Sequence, residues 1–179
     1  MLGERVRGAR VLDLFSGTGA LGIEALSRGA AQVTFVDRSY FCVRAVEQNL
    51  ETVSLTTLEP PPFEIHRAEI LTGIRKLARQ EAVFDLVLMD PPYGHHLVRK
   101  SLNALIQYAM VAPLGLVVVE QDKRDSLPPQ VEGKGFWLTL ARRQRYGDTV
   151  VALYERQDEN SSSAGGVPGN LRPGDQRPH

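Results

Sequence analysis

A chain of 179 residues with 42% hydrophobic composition is long enough to build one domain around a sizeable core. Its 21 basic and 21 acidic side chains cancel, and the pI is near 6.9, so no global field draws a polyanion and any nucleic-acid contact has to be local. A single cysteine, Cys42, excludes an internal disulfide and a cysteine-built zinc site, and with no apolar run of roughly 18 residues and no signal-peptide core the chain reads as a soluble cytoplasmic protein.

Taken in order, the residues alternate strand and helix signals. A short basic lead precedes Arg10-Val11-Leu12-Asp13-Leu14-Phe15, which reads as a buried strand. Ser16-Gly17-Thr18-Gly19-Ala20-Leu21-Gly22 follows, then a helical stretch through Leu26 that Gly29 stops. Gln32 to Val36 is a second strand ending on Asp37, and Ser39 can cap a helix whose Val43, Val46, Leu50 and Val53 share one face. After a proline-closed loop, Phe63 to Arg67 alternates as a third strand, and a basic helix runs from Ile70 to about Gln80.

The fourth strand, Val83 to Met89, is an apolar run that ends on Asp90-Pro91-Pro92-Tyr93. Leu97 to Met110 reads as a helix, Pro113-Leu114-Gly115 as a turn, and Leu116 to Glu120 as the fifth strand. Gly135 to Ala141 and Thr149 to Tyr154 are expected to pair as an antiparallel hairpin about Tyr146-Gly147-Asp148, with Arg142, Arg143 and Arg145 in its turn. Residues 1–156 then form one domain. Residues 157–179 carry too little apolar surface to offset their ordering entropy and are expected to be a disordered tail.

Asp90-Pro91-Pro92-Tyr93 is the stretch richest in chemistry. Each proline removes a backbone donor and fixes φ, so the ladder cannot continue and the carbonyls of Asp90 and Pro91 are left pointing outward. A carboxylate, a strand-end carbonyl and an aromatic ring suit a flat molecule bearing an exocyclic NH2, with Tyr93 stacked on its ring. Open α/β sheets bind ligands beyond the carboxyl ends of their strands, which is where this stretch falls.

Gly17, Gly19 and Gly22 fit G-x-G-x-x-G, and Asp37 stands 20 residues after the first glycine, the spacing of a dinucleotide-binding turn. S-adenosylmethionine makes the same demands: close approach to the backbone, a helix N-terminus for a carboxylate, and an acidic residue for a ribose diol. Asp13 favours it over a nicotinamide dinucleotide, because a carboxylate before the loop can pair with the cofactor's ammonium group.

The run Asp13 to Ala30, with Asp37, Asn49, Asp90-Pro91-Pro92-Tyr93 and Tyr146-Gly147-Asp148-Thr149, resembles the bacterial 16S rRNA guanine-N2 methyltransferase family over roughly residues 9–156. The resemblance implies an α/β Rossmann-like class I methyltransferase: a seven-stranded, mostly parallel sheet with an antiparallel last strand and helices on both faces. It implies S-adenosylmethionine as donor, the N2 amine of a guanine in 16S rRNA of the small ribosomal subunit as acceptor, and a monomer that uses no metal or membrane. It gives Asp13, Phe15, Gly17 and Gly19 the methionine end of the cofactor, Asp37 the ribose, and Glu69 the adenine amino group. Asp90, Pro91, Pro92 and Tyr93 become the catalytic stretch, Asp90 also bordering the cofactor. Members of the family carry a longer arginine-containing segment ahead of the first strand, where this sequence has nine residues, so the carry-over bears on the cofactor site before it bears on RNA affinity.

Other signals are weaker. Arg142, Arg143 and Arg145, with Lys123 and Arg124, could meet RNA phosphates or be ordinary solvated charge. His95-His96 follows the catalytic stretch and could line a substrate mouth. Glu120 could face the cleft or bind a neighbouring backbone, and Phe136 and Trp137 read as core. Glu69 reads equally as a helix N-cap. Rival acceptors for the same Asp-Pro-Pro-Tyr chemistry are adenine N6 in DNA and a glutamine side chain; a nicotinamide-dependent oxidoreductase and a non-catalytic cofactor- or RNA-binding module are the readings outside that class.

Overall fold

The structure, a computed structural model, describes residues 2–94 and 96–160. Its apolar runs become strands buried on both faces. β1 (Arg10–Leu14), β2 (Gln32–Asp37), β3 (Phe63–Arg67), β4 (Phe84–Met89) and β5 (Val111–Asp122) are parallel neighbours. β6 (Gln130–Glu132), β7 (Phe136–Tyr146) and β8 (Thr149–Asp158) complete one sheet in the order β3-β2-β1-β4-β5-β8-β7-β6. β8 lies antiparallel to β5, and β7 antiparallel to β8. The count is eight rather than seven because Gln130–Glu132 pairs with β7; three residues, two of them polar and exposed, carry no alternation to read.

Helices α1 (Ala20–Ser27) and α2 (Tyr40–Thr52) cover one face, where Ala25, Val46 and Leu50 join Val11, Val33, Phe35 and Leu86 in one core. Helices α3 (Ile70–Arg79) and α4 (Leu97–Gln107) cover the other, with Ile74, Leu77, Leu102 and Leu105 packed on Leu12, Leu14, Val87 and Val117. The caps follow the expected chemistry. Ser39 accepts a hydrogen bond from the Cys42 N–H, and Gly29 takes φ +97° just past the end of α1. Phe136 is core, whereas Trp137 is only half-buried and donates from Nε1 to Gln157.

Three expectations are corrected. Pro113-Leu114-Gly115 is not a turn before β5 but a bulge within it. Val111 pairs with Phe84, and the ladder resumes two residues later on β4 at Leu86 against Leu116, because the long-range pairing recovers the strand on either side of the kink. The hairpin ladder is longer than the alternation suggested, so Arg142, Arg143 and Arg145 lie within β7, paired with Leu153, Ala152 and Val150, rather than in a turn. All three are exposed, and without a buried face the strand leaves no period-two signature. β8 likewise runs to Asp158, past residue 156. The expected tail from residue 161 onward, and His95, lie outside the described residues.

Candidate active site

Register brings the acidic residues together. Phe35, Asp13, Leu88 and Val118 stand level across β2, β1, β4 and β5. Two residues further along come Asp37, Phe15, Asp90 and Glu120. Side chains alternate along a strand, so Asp37, Asp90 and Glu120 share the face of Asp13, the one covered by α1 and α2. Asp13 thus sits one pleat below a rim on which Asp37, Asp90 and Glu120 are strung out at the ends of β2, β4 and β5.

Burial makes Asp13 the most perturbed of these carboxyls. It is 1% exposed, and its Oδ2 accepts from the Gly22 N–H at 3.1 Å. Desolvation pushes its pKa up to about 7; the Gly22 hydrogen bond opposes this, and the charges of Asp90 and Asp37 add to it. Asp90 opens to solvent at the mouth, yet loss of hydration, and then the charge of Glu120, raise its pKa too. The row is an excess of negative potential gathered over strand ends, a setting that favours a cationic ligand and disfavours a pyrophosphate.

The glycine loop is fastened to this row. Asp37 accepts from the Gly17 N–H at 3.0 Å through Oδ2 and from the Ser39 N–H at 2.9 Å through Oδ1. Asn49, named in the resemblance but given no role by it, donates to the Thr18 carbonyl at 2.8 Å and tethers the loop to α2. Gly17 has φ +55°, and a Cβ placed on it would meet nothing within 4 Å, so its backbone is open to a ligand. At Gly22 a Cβ would lie 2.4 Å from Phe35 Cε1 and 2.9 Å from Asp13 Oδ2, so that glycine serves the close packing of α1 on the sheet. Phe15 turns the chain out of β1 at φ +57°, a strained value for a side chain of that size.

The residues after β4 are held differently. Pro91 is buried, Pro92 and Tyr93 are exposed, and the Gly94 N–H donates to Asp125 Oδ2 at 3.3 Å. The Arg124 guanidinium lies 3.8 Å from the centre of the Tyr93 ring, over one face of it, and forks onto Asp122 at 2.8 and 3.1 Å. His96, also exposed, begins α4 and lines a small cleft with Pro91 and Pro92.

Glu69 is set apart. It caps α3, accepting from the Leu71 and Thr72 N–H groups and from the Thr72 hydroxyl at 3.1–3.2 Å. Burial works to raise its pKa, but those hydrogen bonds outweigh it and leave the carboxyl below its ordinary value. Cap geometry therefore accounts for Glu69 as it stands. Glu120, whose direction the sequence left open, faces the cleft beside Asp90 and binds no neighbouring backbone among the described residues. Among the described residues no cluster of His, Cys, Asp and Glu has metal-binding geometry, and no helix is long and apolar enough to cross a membrane.

A mostly parallel sheet with helices on both faces, a glycine turn after β1, an acidic end to β2 and Asp-Pro-Pro-Tyr after β4 define a class I methyltransferase of the S-adenosylmethionine-dependent kind. The chain belongs to the family described as Conserved hypothetical protein 95, whose model matches residues 1–155. It is 35% identical to YlbH of Bacillus subtilis, a candidate rRNA methyltransferase by name, over 88% of this chain and 81% of that protein. It is 31% identical to the ribosomal RNA small subunit methyltransferase D of Escherichia coli, over 87% and 73% of the two chains. A crystal structure of a candidate methylase from Haemophilus influenzae matches with TM-score 0.72 at 27% identity, covering 86% of this chain and 90% of that one. The 16S rRNA N2 methyltransferase RsmC of Thermus thermophilus, solved with AdoMet and guanosine, shares the fold with TM-score 0.65 at 19% identity, covering 84% of this chain and 38% of that one.

Proposed function

We propose that this protein transfers a methyl group from S-adenosylmethionine to the exocyclic N2 amine of a guanine in 16S rRNA of the small ribosomal subunit, acting as a monomer in the cytoplasm. The observation that carries the reading is the row of carboxylates at the strand ends, Asp37, Asp13 and Asp90 with Glu120 beyond. It fits a cofactor that brings positive charge and an acceptor that brings N–H donors. The small-subunit methyltransferase relatives and the N2-methylating neighbour support the choice of acceptor.

Bound S-adenosylmethionine would supply an electrophilic methyl group, with Asp13, Phe15, Gly17 and Gly19 around its methionine end and Asp37 at its ribose. Glu69 would take the adenine amino group through lone pairs its cap bonds leave over. The buried Asp13 suits an ammonium, because a cation returns to the carboxylate the stabilisation that burial removed.

The amine is a poor nucleophile because its lone pair is delocalised into the base. Accepting its two N–H bonds, at Asp90 and at the Pro91 carbonyl, favours a pyramidal nitrogen whose lone pair is directed outward. Rigid strand ends supply that orientation in advance, an effect worth on the order of 7–11 kcal/mol in well-aligned reactions. As the new N–C bond forms, one N–H proton has to leave, and it passes to Asp90 or to water. Tyr93 stacks on the base, with Arg124 backing the ring from the other side. Of the basic residues, Lys123 is paired with Asp148 at 2.7 Å and Arg145 is bonded to the Gly147 carbonyl, and Arg142 lines the cavity beside Glu120, which leaves the exposed Arg143 as the side chain to meet a phosphate.

The test is tritiated methyl transfer to small ribosomal subunits from cells lacking the endogenous activity, followed by nucleoside analysis. N2-methylguanosine at one position is the expected product. N6-methyladenosine, a methylated protein, or no incorporation despite cofactor binding by calorimetry would overturn the reading.

A further inference from the structure

Most acidic groups at the sheet's carboxyl end accept a backbone N–H. Asp13 takes Gly22, Asp37 takes Gly17 and Ser39, and Glu69 takes Leu71 and Thr72. Asp90 and Glu120 are different. Neither has a hydrogen-bond or ion-pair partner among the described residues, yet Glu120 is close enough for its charge to act on Asp90. Two adjacent carboxylates without donors repel one another unless a ligand brings N–H groups to both.

The row continues beyond them. Glu120 stands opposite Val151 on β8, and Val151 opposite Gln144 on β7. One residue pair below, Val118 stands opposite Leu153, and Leu153 opposite Arg142. Directly opposite residues share a face, so from Asp90 outward the rim reads acceptor, acceptor, apolar gap, then the donors of Gln144 and Arg142. Leu88, Val118, Val151, Glu120, Arg142 and Gln144 line one cavity of about 250 Å³, with an apolar floor beneath the polar rim.

We infer that Glu120 accepts the N1–H of the guanine whose N2 amine Asp90 holds, and that this contact makes the site specific for guanine; the inference rests on the acceptor amine proposed above. The Watson–Crick edge of guanine reads donor, donor, acceptor: N2–H, N1–H, O6. Adenine reads donor at N6 but acceptor at N1. A carboxylate next to Asp90 therefore rewards guanine and meets the adenine N1 lone pair with repulsion. Neighbouring strands lie about 4.8 Å apart, and the two guanine donors hang from a single ring carbon, so carboxylates on adjacent strands can converge on both. Arg142 and Gln144, two strands further along, carry side chains long enough to reach back toward O6.

The experiment uses 2-aminopurine riboside, which keeps the 2-amino group, has an unprotonated N1 and lacks O6. With S-adenosylhomocysteine saturating, guanosine, 2-aminopurine riboside and adenosine are titrated by NMR into wild type, Glu120→Gln and Glu120→Asp. Wild type should favour guanosine over 2-aminopurine riboside by about tenfold or more, the usual worth of a matched base contact. Glu120→Gln presents an amide donor to the free N1 and should bring the two to within about threefold, with Glu120→Asp in between. Affinity for S-adenosylhomocysteine should not move, and the thermal midpoint of Glu120→Gln should hold or rise slightly as the repulsion with Asp90 is relieved. In methylation of small subunits, kcat/KM of Glu120→Gln should fall about 10- to 100-fold. An unchanged nucleoside preference in Glu120→Gln, or a wild type that prefers neither nucleoside, overturns the role of Glu120. A wild type that distinguishes guanosine but methylates a different atom overturns the reading on which it rests and leaves the recognition standing.

Discussion

The two ends of the carboxylate row are built in opposite ways. On the β1–β2 side, Asp13 and Asp37 are tied into the backbone, and the glycine loop is fastened at Gly17, Thr18 and Gly22. On the β4–β5 side, Asp90 and Glu120 are untied among the described residues, and Tyr93 rests at the surface against Arg124. The first half is a finished cradle; the second is a set of acceptors still waiting for donors. The contrast suits a protein that meets one small, invariant ligand and one base belonging to a much larger partner. A fixed ligand is held by geometry set during folding, while a base entering from outside needs groups that are not already satisfied.

Breaking the acceptor side should have the largest effect. Asp90→Ala removes the oxygen proposed to hold the acceptor amine but none of the fastenings of the glycine loop. Turnover is expected to fall by about 10²–10³-fold or more, the scale seen when one preorganised contact to a reacting group is lost, with cofactor affinity within a few-fold by calorimetry. Wild-type-like turnover would show that Asp90 does not orient the acceptor.

The cradle side is probed through pH. In the free protein Asp13 holds a proton up to about pH 7 that an unfolded aspartate releases near 3.8. Its folded pKa is raised, so the stability it contributes is complete below the unfolded pKa and is lost as pH climbs through about 7. Cofactor affinity runs the other way, rising as Asp13 ionises. Asp13→Asn should flatten a decline of a few kcal/mol, on the order of magnitude given by linkage, in denaturant unfolding followed between about pH 4 and 8. It should also abolish the proton release on cofactor binding that calorimetry reads in buffers of different ionisation enthalpy. Parallel wild-type and variant curves would contradict the protonation assigned to Asp13.

Gly22→Ala tests whether cradle and fold are one structure. The new methyl group would meet the Phe35 ring and the Asp13 carboxylate, so overpacking should destabilise by about 1–3 kcal/mol. Cofactor affinity should drop with it, while in the variant that still folds the preference among nucleosides stays as in wild type. A variant of unchanged melting temperature would mean that α1 can shift off the sheet.

The cradle was more legible in the sequence than the acceptor side, for a physical reason. Its residues are local: Gly17 and Gly19 sit in one turn, Gly22 follows in the first turn of α1, Ser39 caps the helix that follows Asp37, and Gly29 ends α1. Short-range chemistry dictates all of these. Asp-Pro-Pro-Tyr was visible for the same reason. The direction of Glu120 depends on the register of β5 against β4, and that register passes through a bulge at residues whose local preference is to turn. The arginine half of β7 is a strand only because β8 pairs with it. Glu69 shows the converse: local cap chemistry explains its conformation fully, so a resemblance that gives it a ligand adds a role the geometry does not require.

The smallest effect concerns how the acceptor side reaches its partner. Arg142 and Arg143 are neighbours on β7, but alternation turns Arg142 toward the cavity beside Glu120 and Arg143 to the opposite face. Arg143 is exposed, its side chain without a hydrogen bond or ion pair among the described residues, whereas Lys123 already has Asp148. Arg143→Ala should therefore weaken small-subunit binding by a few-fold and reduce the slope of log affinity against log salt by about 0.7–1. It should leave kcat and nucleoside preference unchanged, because a phosphate contact positions the partner without reading the base. Lys123→Ala should change the slope less, since its charge is partly neutralised before RNA arrives. If Arg143→Ala changed nucleoside preference but not the salt slope, the division between a base-reading face and a phosphate-holding face of β7 would be wrong.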